Sequence, residues 1–209
     1  MLRDDKKSGK EKYARVLDYL PYGDPDDSRP AYQKKPSIHG IGEKYLVLME
    51  LVPKEGFVPQ SGDRVYIGDG ERDMIDHVKR RLDYSSLTHG AQSELIYVLE
   101  QIILDDETQF IEFINAAYPI STRQHMLELL PGIGKKLMWA ILDERKKKKF
   151  ASFEDLTQRV KGLHKLESIF ARQIENELIG DTRYRLFTSK PPEPSRRRGR
   201  DGRDGRGRR

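Results

Sequence analysis

Residues 129–136 read LLPGIGKK, from Leu129 to Lys136, and stand between two segments whose apolar residues recur with helical period. Pro131 drives the residue before it out of helical geometry. Gly132 and Gly134 permit positive φ and the close approach of another backbone, so the stretch is expected to form a tight turn between helices. The amides from Gly132 to Lys135, with Ile133 between the glycines, then point outward at the start of the next helix. There, unpaired donors and the positive end of the helix dipole favour an anion. Lys135 and Lys136 add mobile positive charge. Glycine at two positions followed by two cations suits a grip on a phosphate backbone; the plainer reading is a helix turn with glycine as a C-cap and no ligand.

Working outward, a helix is expected from Lys135 through LMWAILDERKKKK. Ser152 with Asp155 caps the next, which bears Phe153, Leu156 and Val160, and Leu166, Ile169, Ile174 and Leu178 mark the last. Between those two, VKGLHK echoes LPGIGKK about 30 residues later, with His164 replacing the second glycine. Lys161, Gly162 and Lys165 are its candidate contacts. Upstream, Leu95, Val98, Leu99, Ile102 and Ile103 share one helical face, and Phe110, Phe113, Ile114 and Ala117 another. Pro119 stops that run. Ser121 with Gln124 reads as the capping box of a further helix that turns Met126, Leu129 and Leu130 inward.

Before Thr88 the reading changes to strands. Tyr13–Leu20, Lys44–Val52 and Arg64–Ile67 are rich in β-branched, leucine and aromatic residues, and Asp73–Tyr84 continues the sheet. YGDPDDSRPAYQKKP is a loop between the first two. The fold class expected is α+β in two domains: a flexible N-terminus over 1–12, a small OB-like β-barrel over 13–88 and an all-α domain over 89–186. An Arg/Gly-rich tail over 187–209 is expected to be disordered.

Hydrophobic residues make up 36% and charged residues 35% of the 209, a polar balance that suits small cores. The net charge of +5 is unevenly placed: Arg196 to Arg209 contributes +6, and everything before it −1. There is no cysteine, which excludes disulfides and thiolate zinc sites. The charged N-terminus lacks the apolar segment of a signal peptide, and no apolar run approaches roughly 18 residues, so a cytoplasmic protein without a membrane partner is expected.

LELLPGIGKKLMWAILDERKKKKFASFEDLTQRVKGL resembles the helix-hairpin-helix family. The resemblance includes Leu130 before the proline, Arg145 closing the second helix and the Phe150-x-Ser152-x-x-Asp155-Leu156 entry to the next. It extends from Thr122 to Leu178 and looks like the tandem form, which implies two pseudo-twofold hairpins that grip nucleic-acid backbone without reading bases. A second hairpin used only for packing, and a surface for protein partners, both stay open. The strand half resembles an OB-fold, which implies stacking aromatics and cations on exposed strands; Tyr13, Arg15, Tyr45, Tyr66, Lys79 and Arg80 are the candidates. Each tyrosine also fits an ordinary half-buried strand position. Across nearly its whole length the chain is similar to an uncharacterised archaeal family that joins an OB-like barrel to a tandem helix-hairpin-helix domain. VLDYLPYGDPDDSRPAYQKKP, GDRVYIG, LELLPGIGKK and FASFEDL carry the match, which implies nucleic-acid binding with no established activity.

No catalytic constellation accompanies these features. His39, His77, His89, His125 and His164 never pair at metal-ligand spacing, DPDDS lacks the later ligands of a calcium loop, and no phosphate loop or nucleophile elbow occurs. The expectation is a protein that is not an enzyme, carries no cofactor or metal and binds nucleic acid, RNA in preference to DNA because arginines alternate with glycine in the tail. A metal-dependent nuclease using carboxylates such as Asp73 and Asp76 is the alternative from another class, and a protein-interaction scaffold is the third.

Overall fold

The structure, a computed structural model, describes residues 10–24, 29–180 and 182–189. Most of DPDDS, the first nine residues and the arginine tail lie outside the described residues. Within them, the fold is α+β: a five-stranded antiparallel sheet curled into a half-barrel, with five α-helices.

β1 (Tyr13–Leu20), β2 (Ser37–Gly42) and β3 (Leu48–Pro53) form a meander. β4 (Arg64–Tyr66) pairs with β1 and β5 (Ile75–Arg81) with β3, giving the order β4-β1-β2-β3-β5. Successive side chains of a strand face opposite ways, and here both faces of the central strands are covered. Ala14, Val16, Ile38, Met49, Leu51, Val65, Ile67 and Ile75 fill the inside of the curl. Leu17, Ile41, Leu48 and Leu82 face outward into the core of the helices.

That second core crosses the boundary expected at residue 88. Thr88 is the N-cap of α1 (His89–Asp105): its hydroxyl accepts from the Ala91 amide and donates to Asp18 of β1. α1 lies on β1 and against α5 (Leu166–Ile179). α2 (Glu107–Ala116), α3 (Lys135–Lys147) and α4 (Phe153–Arg159) complete the array. Sheet and helices therefore share apolar surface.

Three local expectations are corrected. β2 follows the expected loop, which ends at Pro36, and occupies a stretch before Lys44 where no strand was expected. Lys44 and Tyr45 belong to a turn, because Leu46 takes φ 55° and the Lys44 and Tyr45 amides donate to the buried Glu11 carboxylate at 3.0 and 2.7 Å. In place of a helix capped by Ser121, a two-stranded hairpin, β6 (Pro119–Ser121) and β7 (Gln124–His125), leads into a 3-10 turn over Met126–Leu129. The capping box there is His125 with Glu128: the Leu127 amide donates to the imidazole and the His125 amide to the carboxylate. Met126, Leu127 and Leu130 are buried and Leu129 only partly so.

The C-terminal described segment is held by Glu177. Its fully buried carboxylate accepts from the amides of Leu186 (2.7 Å), Phe187 (3.1 Å) and Thr188 (2.8 Å), from the Thr188 hydroxyl (3.0 Å) and from Gln173 (3.1 Å). This places Phe187 against Phe110, Phe113 and Phe170 at centroid separations of 5.7, 4.9 and 5.6 Å. Glu177→Ala leaves those amides without an acceptor and is expected to lower stability by about 3 kcal/mol, with Glu177→Gln losing less because one acceptor oxygen remains. Chemical denaturation of the two variants measures the difference.

Candidate nucleic-acid interface

Leu130 is extended (φ −74°, ψ 126°), as a residue before proline should be. Gly132 has φ +84°, which turns the chain so that Ile133 enters the core, 2% exposed, with its amide donating to the Leu130 carbonyl at 3.0 Å. Gly134 (φ −81°, ψ 176°) is the N-cap of α3 and has no side chain to satisfy the first-turn amides. A Cβ built on Gly132 or Gly134 would meet nothing within 4 Å. No other part of the described chain comes close there, so the side of the turn that faces away from the core is open.

The second turn repeats this geometry. Gly162 has φ +91°, and Leu163 is 1% exposed with its amide donating to Val160 at 3.4 Å. Where the first turn enters its helix from Gly134, His164 stands in the second, and one more residue is needed. That residue is Lys165, the N-cap of α5, held in the left-handed region at φ 50°, ψ 57°. The turns abut: a Cβ on Gly162 would lie 3.8 Å from Leu137 Cδ2 in the first turn of α3. Lys135, Lys136, Lys161 and Lys165 are exposed, and among the described residues none of them makes an ion pair. Further along α3, Lys146 and Lys147 are paired with Asp143 and Glu144.

The sheet candidates divide into two groups. Tyr13, Arg15 and Tyr66 meet at the β1–β4 edge, where the Tyr13 and Tyr66 rings pack edge to face at 5.3 Å. Tyr45 lies in the neighbouring turn, with Lys44 over its ring at 5.4 Å. Arg64, not singled out from sequence, covers the Tyr13 ring at 3.7 Å. Arg15 and Arg64 both donate to Glu43 at 2.8 Å, and Arg15 also pairs with Asp105 of α1. Burial works to raise the Glu43 carboxyl, but the hydrogen bonds and charges of Arg64 and Arg15 outweigh it and hold the group below its ordinary value. The adjoining cleft, about 510 Å³, is walled by Arg15, Lys44 and Arg64 against Glu43, Asp105 and Asp106, a balance that leaves no net attraction for an anion.

Lys79 and Arg80 stand at the other edge. Both donate to the fully buried Glu50 at 2.6 Å, and Arg80 also reaches Asp24 at 2.7 Å. Burial opposes ionisation of Glu50, and these two cations overcome it, keeping its carboxyl below the ordinary range. The sheet cations therefore compensate acidic side chains of the fold.

His39 lies between Asp18 and Glu50 in the sheet register, fully buried, and accepts from the Thr88 amide at 3.4 Å. Burial lowers its pKa, against the opposing pull of Asp24, Glu50 and Asp18. The unfolded chain then binds a proton at this residue more readily than the folded one. Stability is intact above about pH 6.5 and falls as pH drops from there toward the lowered value. His125, lowered by burial and then by Arg145, acts in the same direction. Melting curves between pH 7.5 and 5.5 are expected to show a steeper acid loss for wild type than for His39→Gln, which keeps the residual slope from His125. At the turns, Gly132→Ala is expected to lose about 1 kcal/mol to backbone strain and Gly134→Ala only a few tenths; thermal denaturation separates them.

The fold and its surface define an α+β protein whose sheet and helices share a core and which displays two abutting glycine turns. The chain belongs to the family described as "Protein of unknown function (DUF655)", whose match spans residues 10–189. It is 48% identical over 179 residues to uncharacterized protein MJ0038 of Methanocaldococcus jannaschii, covering 85% of this chain and 79% of that protein. The crystal structure of Af1531 from Archaeoglobus fulgidus, of the same family, is 49% identical. It superposes with a TM-score of 0.79 over 86% of this chain and all of that one.

Proposed function

We propose that the protein binds nucleic acid without catalysis, gripping phosphate backbone through the paired turns at Gly132–Lys136 and Lys161–Lys165. The observation that carries this reading is the contrast in charge: the lysines at the turns are uncompensated, whereas the cations singled out on the sheet are held by Glu43, Glu50, Asp24 and Asp105. Open space at Gly132 and Gly134 and uncapped first-turn amides add room and donors for an anion. In this reading the turns are the two hairpins of a tandem helix-hairpin-helix unit, the first entered from a 3-10 turn. The order β4-β1-β2-β3-β5 is that of an OB barrel left open between β5 and β4. The sheet then serves chiefly to seat the helices, its Tyr13 ring being covered by Arg64 and packed against Tyr66.

RNA is favoured over DNA by the sequence of Arg196 to Arg209, whose guanidinium groups suit phosphates and unpaired bases alike. Among the described residues no group of three or more His, Asp or Glu side chains is placed to hold a metal ion. No helix among them is long and apolar enough to cross a membrane.

The test is a salt titration of full-length protein with a structured RNA. Each neutralised phosphate contributes a slope of about 0.7 to 0.9, so four lysines give a log–log slope of about −3, steeper with the tail. Lys135→Ala combined with Lys136→Ala is expected to reduce the slope by about 1.5 while the melting temperature is kept. Affinity that stays flat as salt rises overturns the reading and favours a protein partner for this face.

A further inference from the structure

Trp139 is the single tryptophan of the chain and is 57% exposed. Of the other aromatic side chains on the helices, Phe110 and Phe170 are buried almost completely, and Tyr97 of α1 is exposed. Nor does Trp139 anchor its own helix, since Met138 (5% exposed) and Ile141 (0%) hold α3 in the core from the other side. It follows Lys135 by four residues and Lys136 by three, spacings that bring the indole and both ammonium groups onto one face. Asp143, one turn further on, and Lys146, two turns on, are ion-paired with each other, so the unpaired charge beside the indole is that of the two lysines.

We propose that Trp139 is a stacking platform for an unpaired nucleobase next to the phosphates held at the first turn. The preferred ligand is then a nucleic acid in which a duplex or structured segment passes into single strand. The inference rests on the phosphate-gripping reading above and adds the class of nucleic acid that the face selects. Lys135 and Trp139 are separated by about 6 Å along the helix axis at 1.5 Å per residue, within about two nucleotides of strand at 3.4 Å each. A phosphate at the turn thus brings a neighbouring base to the indole. Charge complementarity selects this occupant: a flat apolar ring beside two unpaired cations matches a base and its phosphate, and base–aromatic stacking tolerates any base because each presents a π face.

The sole tryptophan is also the reporter. Full-length protein is titrated with three RNAs: a blunt hairpin duplex, the same duplex with a three-nucleotide single-stranded extension, and the same extension made abasic so that its phosphates are unchanged. The expected result is strong quenching of tryptophan fluorescence by the extended RNA alone, which binds about tenfold more tightly than its abasic counterpart. Trp139→Ala should abolish that preference while keeping affinity for the blunt duplex, its salt slope and the melting temperature; Trp139→Phe should retain part of the preference. Binding of all three RNAs with equal affinity, or saturation without a change in fluorescence, overturns the inference and leaves the phosphate grip standing. Absence of salt-dependent binding to any of them removes both.

Discussion

Ile133 and Leu163 are buried to 2% and 1% exposure, each immediately after a glycine of positive φ. These insertions hold both turns. With the apolar residue fixed inside and the glycine reversing the chain before it, the residues on either side are left facing solvent at the head of a helix. The residue pairs Leu130–Ile133 and Val160–Leu163 close the two turns with equivalent amide-to-carbonyl bonds. Contact between Leu137 and the Gly162 position sets one turn beside the other. A single change at the inserted residue would therefore disturb core and surface together, whereas changes at the lysines act on the surface alone.

Charge is arranged by the same division between inside and outside. The sheet buries Glu50 completely, and Glu11 and Asp24 nearly so, which requires cations or amides close by. Lys79, Arg80, Arg15 and Arg64 meet that need for Glu50, Asp24 and Glu43, and two turn amides serve Glu11. A chain whose first 195 residues sum to −1 can thus still present a locally cationic face, because the four lysines of the two turns stand together with no acidic side chain among the described residues paired to them.

How much of this was legible in the sequence depended on how local the cause was. The turn at Pro131–Gly134, the Ser152 cap and the limits of β1 follow from neighbouring residues, and the structure has them where they were expected. β2 was hidden because all six of its residues are buried, polar ones included, so no alternation marks it. The helix expected after Pro119 failed because Met126 donates to the Tyr118 carbonyl across a short hairpin, and the cap was made by His125, a residue seldom read as one. The roles of Arg15 and Arg80 were beyond reach for a different reason. Their partners Asp105 and Asp24 lie 90 and 56 residues away, and exposed strand cations look alike until the acidic residue facing them is known.

The latch formed by Glu177 also bears on the order in which the chain can fold. Phe110 and Phe113 sit in α2, Phe153 opens α4, Phe170 lies in α5, and Phe187 joins them only when Glu177 gathers the three amides around it. During synthesis at roughly 5–20 residues per second, Phe110 is made about 4–15 seconds before Phe187. For that interval the rings already made have an open side. The sheet's inner core draws on nothing beyond Ile75 and can close first, so on a ribosome the strand half has a completed interior while the helical half still awaits its last aromatic ring.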